Sequence, residues 1–178
     1  MTLATKITLL RIILMPIFIV LLLQGHHPWP AVIFTFTIVT DALDGFIARW
    51  KKQKTALGSF LDPLADKLLM FSSFLTLAYL KVIPLWIFVV IVSRDMLIVI
   101  GWLVFYFITH SIEIKPRLSG KLTAIIQMTT VWLILLGLAG QWKEGFLVLT
   151  VIITSASALD YVIVGSKNLS GASPPVRR

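Results

Sequence analysis

Cysteine is absent from the 178-residue chain, which excludes disulfides, thiolate nucleophiles and zinc–thiolate sites together. It leaves the redox compartment open. Charge is scarce, at 13% of residues against roughly 25% in an average soluble domain. Acid is scarcer, with 8 Asp and Glu against 16 Lys and Arg. Histidine occurs 3 times, at His26, His27 and His110, and none forms a His-x-Lys pair, which excludes phospholipase-D-like histidine chemistry. His26 and His27 are adjacent, so they do not share a helix face, and they read as loop. No internal repeat or interdomain linker interrupts the chain, which reads as one domain over residues 1–178.

What is present is apolar. Hydrophobic residues make up 58% of the chain and the mean hydropathy is +0.95, which excludes an ordinary soluble globule and excludes disorder. A chain of this size hides only part of its apolar surface in one core, so the rest is expected to face lipid. The formal charge of +8 and pI of about 10.1 call for anionic partners. With this hydropathy that partner is a lipid bilayer rather than nucleic acid.

Six apolar runs read as transmembrane helices: Ile7–Leu23, Ala31–Trp50, Leu61–Leu80, Pro84–Phe107, Lys121–Leu138 and Gly145–Val164. Most approach the ~20 residues needed to cross ~30 Å of hydrocarbon. The first run contains Arg11 and is followed by no small-x-small cleavage site, so it is expected to be retained rather than removed as a signal peptide. Gly25–Pro30 and Gly140–Glu144 read as connections, Pro84 as the opening of the fourth helix, and residues 166–178 as a loose tail. Lys6, Lys51, Lys52, Lys54, Lys115, Arg117, Lys167, Arg177 and Arg178 fall at one set of ends, and only Lys81 and Lys143 at the other. The positive-inside rule then places both termini in the cytoplasm. The expected fold class is an all-α integral membrane protein with six transmembrane helices and both termini cytoplasmic.

The informative residues are the acids. Of the eight, only Glu113 and Glu144 fall in connections, whereas Asp41, Asp44, Asp62, Asp66, Asp95 and Asp160 lie in or at the ends of apolar runs. A charge at the bilayer centre costs at least ~2.5–3.5 kcal/mol, so these groups must be interfacial, paired or neutralised by cations. Asp41 and Asp44 are i,i+3 on the second run, and Asp62 and Asp66 are i,i+4 on the third, so each pair shares a helix face. A short basic connection makes the two helices antiparallel neighbours and can bring four carboxylates together. Such a cluster repels itself unless hard cations lie among it, and an all-oxygen donor set selects magnesium, manganese or calcium. Pairing with Lys67, Arg94 or Arg49 as structural bridges is the competing account. It suits a lone acid such as Asp160 better than a quartet interleaved with the small residues Gly45, Ala48 and Gly58.

Divalent ions held by carboxylates keep open positions for substrate phosphates, and two such ions clamp the attacking and leaving oxygens in phosphoryl chemistry. Arg49, Lys51, Lys52, Lys54, Arg94, Lys115, Arg117 and Lys121 suit a multiply phosphorylated substrate. At an interface that substrate can be a lipid. The residues alone therefore point to a metal-dependent enzyme acting on a phosphorylated lipid.

Asp41-x2-Asp44-Gly45-x2-Ala48-Arg49-x8-Gly58-x3-Asp62-x3-Asp66 resembles the full signature of the CDP-alcohol phosphatidyltransferases, a family of six-helix membrane enzymes. The resemblance implies a CDP-diacylglycerol donor, two divalent cations (Mg or Mn), release of CMP and a homodimer. It implies that Asp41, Asp44, Asp62 and Asp66 hold the metals and that Asp66 is also the catalytic base. Gly45, Ala48, Arg49 and Gly58 would line the nucleotide pocket. A bacterial cytoplasmic membrane, with the site facing the cytoplasm, is the expected location.

The acceptor is less constrained. Thr5-Lys6-Ile7-Thr8-Leu9-Leu10-Arg11 resembles the family's phosphatidylglycerophosphate synthase branch, whose acceptor is glycerol 3-phosphate. Arg94, Arg117 and Lys121 are the candidate acceptor-binding residues. That branch tends to have Gly-Lys-x-Lys-Thr where this chain has Gly120-Lys121-Leu122-Thr123-Ala124. Ala56–Ser59, Leu61–Lys67 and Ser93-Arg94-Asp95 resemble the cardiolipin synthase branch, whose acceptor is phosphatidylglycerol. The expected acceptor is glycerol 3-phosphate, with phosphatidylglycerol as the alternative. A carrier or channel with an aspartate relay is a distant rival, because no helix is broken at mid-membrane and the acids cluster at one face.

Overall fold

The computed structural model describes residues 3–25, 28–51, 56–109 and 118–171, with side chains at 3–7, 41–51, 56–63, 102, 104–109 and 166–171 outside the described set. The connections expected at His26, His27, Lys52, Lys54, His110, Glu113, Lys115 and Arg117 fall outside it, as do residues 172–178. Among the described residues there are six α-helices and no strand: α1 (Leu3–Leu23), α2 (Trp29–Lys51), α3 (Ala56–Tyr79), α4 (Leu85–Thr109), α5 (Leu118–Leu135) and α6 (Lys143–Gly171). A single 3-10 turn, Gly140–Trp142, leads into α6.

Every expected helix is present, and the corrections are at the ends. Helix α1 starts at Leu3 rather than Ile7, α3 at Ala56 rather than Leu61, and α5 at Leu118 rather than Lys121. Helix α6 continues to Gly171, so the tail expected from 166 is helical through six further residues. Apolar runs mark what lipid or core covers, whereas a helical backbone continues until a residue breaks it. Ser166–Ser170 contains no breaker.

Helix α5 ends at Leu135, short of the expected Leu138, because Gly137 takes a left-handed conformation with φ +69°. Its N–H donates to the Ile134 carbonyl at 3.1 Å and the Leu138 N–H to the Leu133 carbonyl at 3.0 Å, the paired bonds of a Schellman cap. Helix α3 closes the same way, Lys81 N–H to Ala78 O at 3.0 Å and Val82 N–H to Leu77 O at 2.9 Å. There the left-handed residue is Lys81, with φ +57°.

The chain divides into two compact units, one formed by Met1–Pro84 with Val131–Gly140 and the other by Leu85–Thr130 with Gln141–Arg178. In the first, α1 packs against both α2 and α3. Phe18 of α1 meets Phe34 of α2 with ring centroids 6.0 Å apart, and the Trp132 indole donates to Thr35 Oγ1 at 2.8 Å. An apolar hollow of about 270 Å³ lies between the C-terminal ends of α1 and α3, lined by Leu22, Leu77 and Leu80 among others. It offers no polar side chain. In the second unit α4 packs on α6, and α5 is hydrogen-bonded to α6 at Ser119–Asp160, Gln127–Thr154 and Thr130–Thr150. Residue numbers rise on one helix as they fall on the other, so α5 and α6 are antiparallel.

Polar side chains share the interior with apolar ones, and large aliphatic chains lie on the surface. Thr8, Arg11, Ser73, Arg94, Thr123, Gln127, Thr130, Thr150, Thr154 and Ser157 are buried, while Ile13, Ile17, Val20, Val99, Ile100, Ile152 and Leu159 are exposed. Hydroxyls turned inward and aliphatic chains turned outward are the arrangement a lipid surround favours. Two described helical segments, Leu118–Leu135 and Gly140–Gly165, are long and apolar enough to cross a membrane, and Thr8–Leu23 and Trp29–Thr40 are shorter apolar stretches.

Candidate active site

Asp41, Asp44, Gly45, Ala48 and Arg49 fall in the second half of α2, and Gly58, Asp62 and Asp66 in the first half of α3. The backbone is helical throughout both stretches, so the i,i+3 and i,i+4 spacings lie on continuous helices. Of these residues, only Asp66 has a described side chain. Helix α1, against which both α2 and α3 pack, contributes the group that meets it.

That group is Arg11. It donates from Nη1 to Asp66 Oδ1 at 2.7 Å across 55 positions of sequence. The arginine side chain is 2% exposed and that of Asp66 is 32% exposed. Arg11 lies on the buried face of α1 with Thr8, Phe18 and Leu22, whereas Ile13, Ile17 and Val20 are exposed. The spacing is that of one helix stripe. The carboxylate is thus gripped from inside the unit and is partly exposed. Of the bridging cations considered from sequence, Arg94 pairs with Asp95; Arg11, which pairs with Asp66, was not among them. A signal for it existed, since Arg11 is the only charged residue of α1 beyond Lys6, and a buried guanidinium in an apolar run needs an anion.

The donor chemistry fits hard divalent cations. The four aspartates supply only oxygen, and Asp66 offers a partly exposed carboxylate. Among the described residues no three His, Cys, Asp or Glu side chains gather; the side chains of Asp41, Asp44 and Asp62 lie outside that set.

The second unit holds a separate polar cluster. Arg94 of α4 is 5% exposed and donates from Nη1 to Asp95 Oδ1 at 2.7 Å and from Nη2 to Ser157 Oγ at 2.9 Å. Its guanidinium carbon lies 5.7 Å from the centre of the Tyr161 ring, within cation–π range. Ser157 and Tyr161 are four apart on α6 and so share a face. Gly120 of α5 closes the cluster: a Cβ there would stand 3.1 Å from the Tyr161 hydroxyl and 3.5 Å from Arg94 Nη2. Alongside it Ser119 donates to Asp160 Oδ2 at 2.7 Å, which fits the structural role expected of that acid. Lys121 is exposed, and Arg117 lies outside the described residues. Sequence reasoning missed Ser157 and Tyr161, because a hydroxyl in an apolar run carries no mark of its partner.

Residues 1–156 match the family model of the CDP-alcohol phosphatidyltransferases. The chain is 33% identical over 92% of its length to a probable CMP-forming cardiolipin synthase of Drosophila melanogaster, of which it spans 57%. It is 31% identical over 95% of its length to a probable phosphatidylglycerophosphate synthase of Mycobacterium tuberculosis, spanning 84% of that protein. It is 29% identical over 94% of its length to a CDP-diacylglycerol–glycerol-3-phosphate 3-phosphatidyltransferase of Aquifex aeolicus, spanning 97%. With the eight-position signature carried on α2 and α3, and with a family match over most of the chain, this protein belongs to the CDP-alcohol phosphatidyltransferase family.

Proposed function

We propose that the chain transfers the phosphatidyl group of CDP-diacylglycerol to the hydroxyl of glycerol 3-phosphate, releasing CMP, in phospholipid biosynthesis. The carrying observation is the aspartate signature running unbroken through helical α2 and α3. Relatives of both acceptor branches are similar to this chain; the choice of glycerol 3-phosphate rests on the Thr5–Arg11 opening and the compact length of the chain.

In this reading Asp41, Asp44, Asp62 and Asp66 hold two divalent cations, Mg or Mn. When bound, such ions neutralise charge on the diphosphate and on departing CMP. Asp66 takes the proton from the acceptor hydroxyl. The oxygen attacks the lipid-side phosphorus, and the bond from that phosphorus to the CMP oxygen breaks. Gly45, Ala48 and Gly58 leave room for the nucleotide to approach closely, and Arg49 offers it charge. Arg94, Arg117 and Lys121 are assigned to the acceptor. The protein works as a homodimer with six transmembrane helices in a bacterial cytoplasmic membrane, the site facing the cytoplasm.

One observation favours phosphatidylglycerol as acceptor. Where the glycerol 3-phosphate branch tends to have a second lysine, this chain has Thr123, which is 1% exposed and spends its hydroxyl on the Ser119 carbonyl at 2.9 Å. A detergent-micelle assay of CMP release from CDP-diacylglycerol, with Mg or Mn, decides between them. Release with glycerol 3-phosphate alone supports the proposal. Release with phosphatidylglycerol alone makes the chain a cardiolipin synthase, and release with neither refutes both acceptors.

A further inference from the structure

Among the described residues Arg11 is the buried charge of α1, and the sequence motif that contains it has so far been given no task. Buried ion pairs are weak stabilisers, often matched or bettered by apolar residues of similar volume. Its presence in an otherwise aliphatic helix therefore asks for a reason other than stability. The geometry supplies one. Arg11 is 3% exposed and reaches Asp66 Oδ1 at 2.7 Å, while about a third of the Asp66 side chain remains accessible. Held from its buried side, the carboxylate cannot turn freely about its own bonds, and its accessible edge keeps one direction.

We propose that Arg11 is a positioning residue for Asp66: it fixes the carboxylate so that a constant edge meets the acceptor hydroxyl. The inference rests on the proposed role of Asp66 in proton transfer. A proton acceptor must lie within about 2.6–3.2 Å of the atom it relieves, and misplacement by ~1 Å can cost about 10²-fold in rate. The consequence is specific. Loss of Arg11 should slow the chemical step far more than it weakens the donor lipid, which in this reading Asp41, Asp44 and Asp62 also hold through the cations.

The test compares Arg11→Gln, Arg11→Lys and Asp66→Asn in purified detergent-solubilised protein, reading kcat and KM for CDP-diacylglycerol together with the thermal midpoint. The expected result for Arg11→Gln is a kcat lower by about 10²-fold with KM within about threefold of the parent. Arg11→Lys, which keeps charge without the planar fork, should recover part of that loss. If Arg11→Gln fails to accumulate, the lysine variant carries the test alone, with a kcat loss of about tenfold at constant KM expected. Unchanged kcat in the Arg11 variants overturns the inference, as does a parallel change in kcat, KM and thermal midpoint, the mark of a purely structural bridge. Asp66→Asn separates the two levels. If it retains turnover, the reading of Asp66 fails; if it is inactive while both Arg11 variants are normal, only the positioning role fails.

Discussion

A guanidinium buried in a helical unit is tolerated when its N–H groups find acceptors, and Arg94 shows how few substitutes it has. Its Nη1 and Nη2 are taken by Asp95 and Ser157, and its Nε is buried with no hydrogen-bond partner among the described residues. Removing the Ser157 hydroxyl strands a second donor, which costs about 1–3 kcal/mol. Ser157→Ala should therefore lower the thermal midpoint by several degrees in detergent, and Ser157→Thr, which keeps the hydroxyl, should recover most of it. At Asp66 the expected loss is functional instead. Asparagine cannot take a proton, so Asp66→Asn should reduce kcat by at least ~10²-fold in the micelle assay. That Asp41 with Asp44, and Asp62 with Asp66, each lie on one continuous helix was legible from their i,i+3 and i,i+4 spacing. What they touch was not, because the Arg11–Asp66 pair joins residues 55 apart, and only the packing of α1 on α3 brings them together.

Helix ends carry their own test. The α3 cap places Lys81 in a left-handed conformation that costs an L-residue roughly 1–2 kcal/mol, while glycine there gives back about 0.5–1 kcal/mol through the entropy of the unfolded chain. Lys81→Gly should thus stabilise by about 0.5–1 kcal/mol and raise the midpoint by roughly 1–4 °C. The reverse holds at the α5 cap. Nothing lies within 4 Å of a Cβ built on Gly137, so Gly137→Ala meets no clash and pays only the net conformational cost, a drop of about 1–4 °C. Two thermal scans check both. The number and order of helices were readable from hydropathy because apolar runs are long and their interruptions are Gly, Pro and Lys. Their ends were not, since a polar turn such as Ser166–Ser170 stays helical without any apolar residue asking it to. The Schellman caps turn on backbone angles that a lysine at position 81 does not advertise.

Across the whole molecule, helix direction constrains topology. Within the first unit α1 and α3 run parallel: Arg11 and Asp66 meet toward the starts of the two helices, and Leu22 and Leu77 line one hollow toward their ends. Two successive membrane crossings demand this. Within the second unit α5 and α6 are antiparallel, as one crossing demands. On the six-span arrangement we propose, alternating crossings would return the C-terminus to the side of the N-terminus, and the positive-inside rule would assign that side to the cytoplasm. The absence of cysteine makes a direct test clean, because one introduced thiol is the only one present. Lys54→Cys and Arg117→Cys should react with a membrane-impermeant maleimide only after permeabilisation, and Glu144→Cys in intact cells. Labelling of all three in intact cells would break the six-span alternation. The mirror pattern would keep the alternation but turn the aspartate signature outward, away from the side on which a cytosolic glycerol phosphate could reach Asp66.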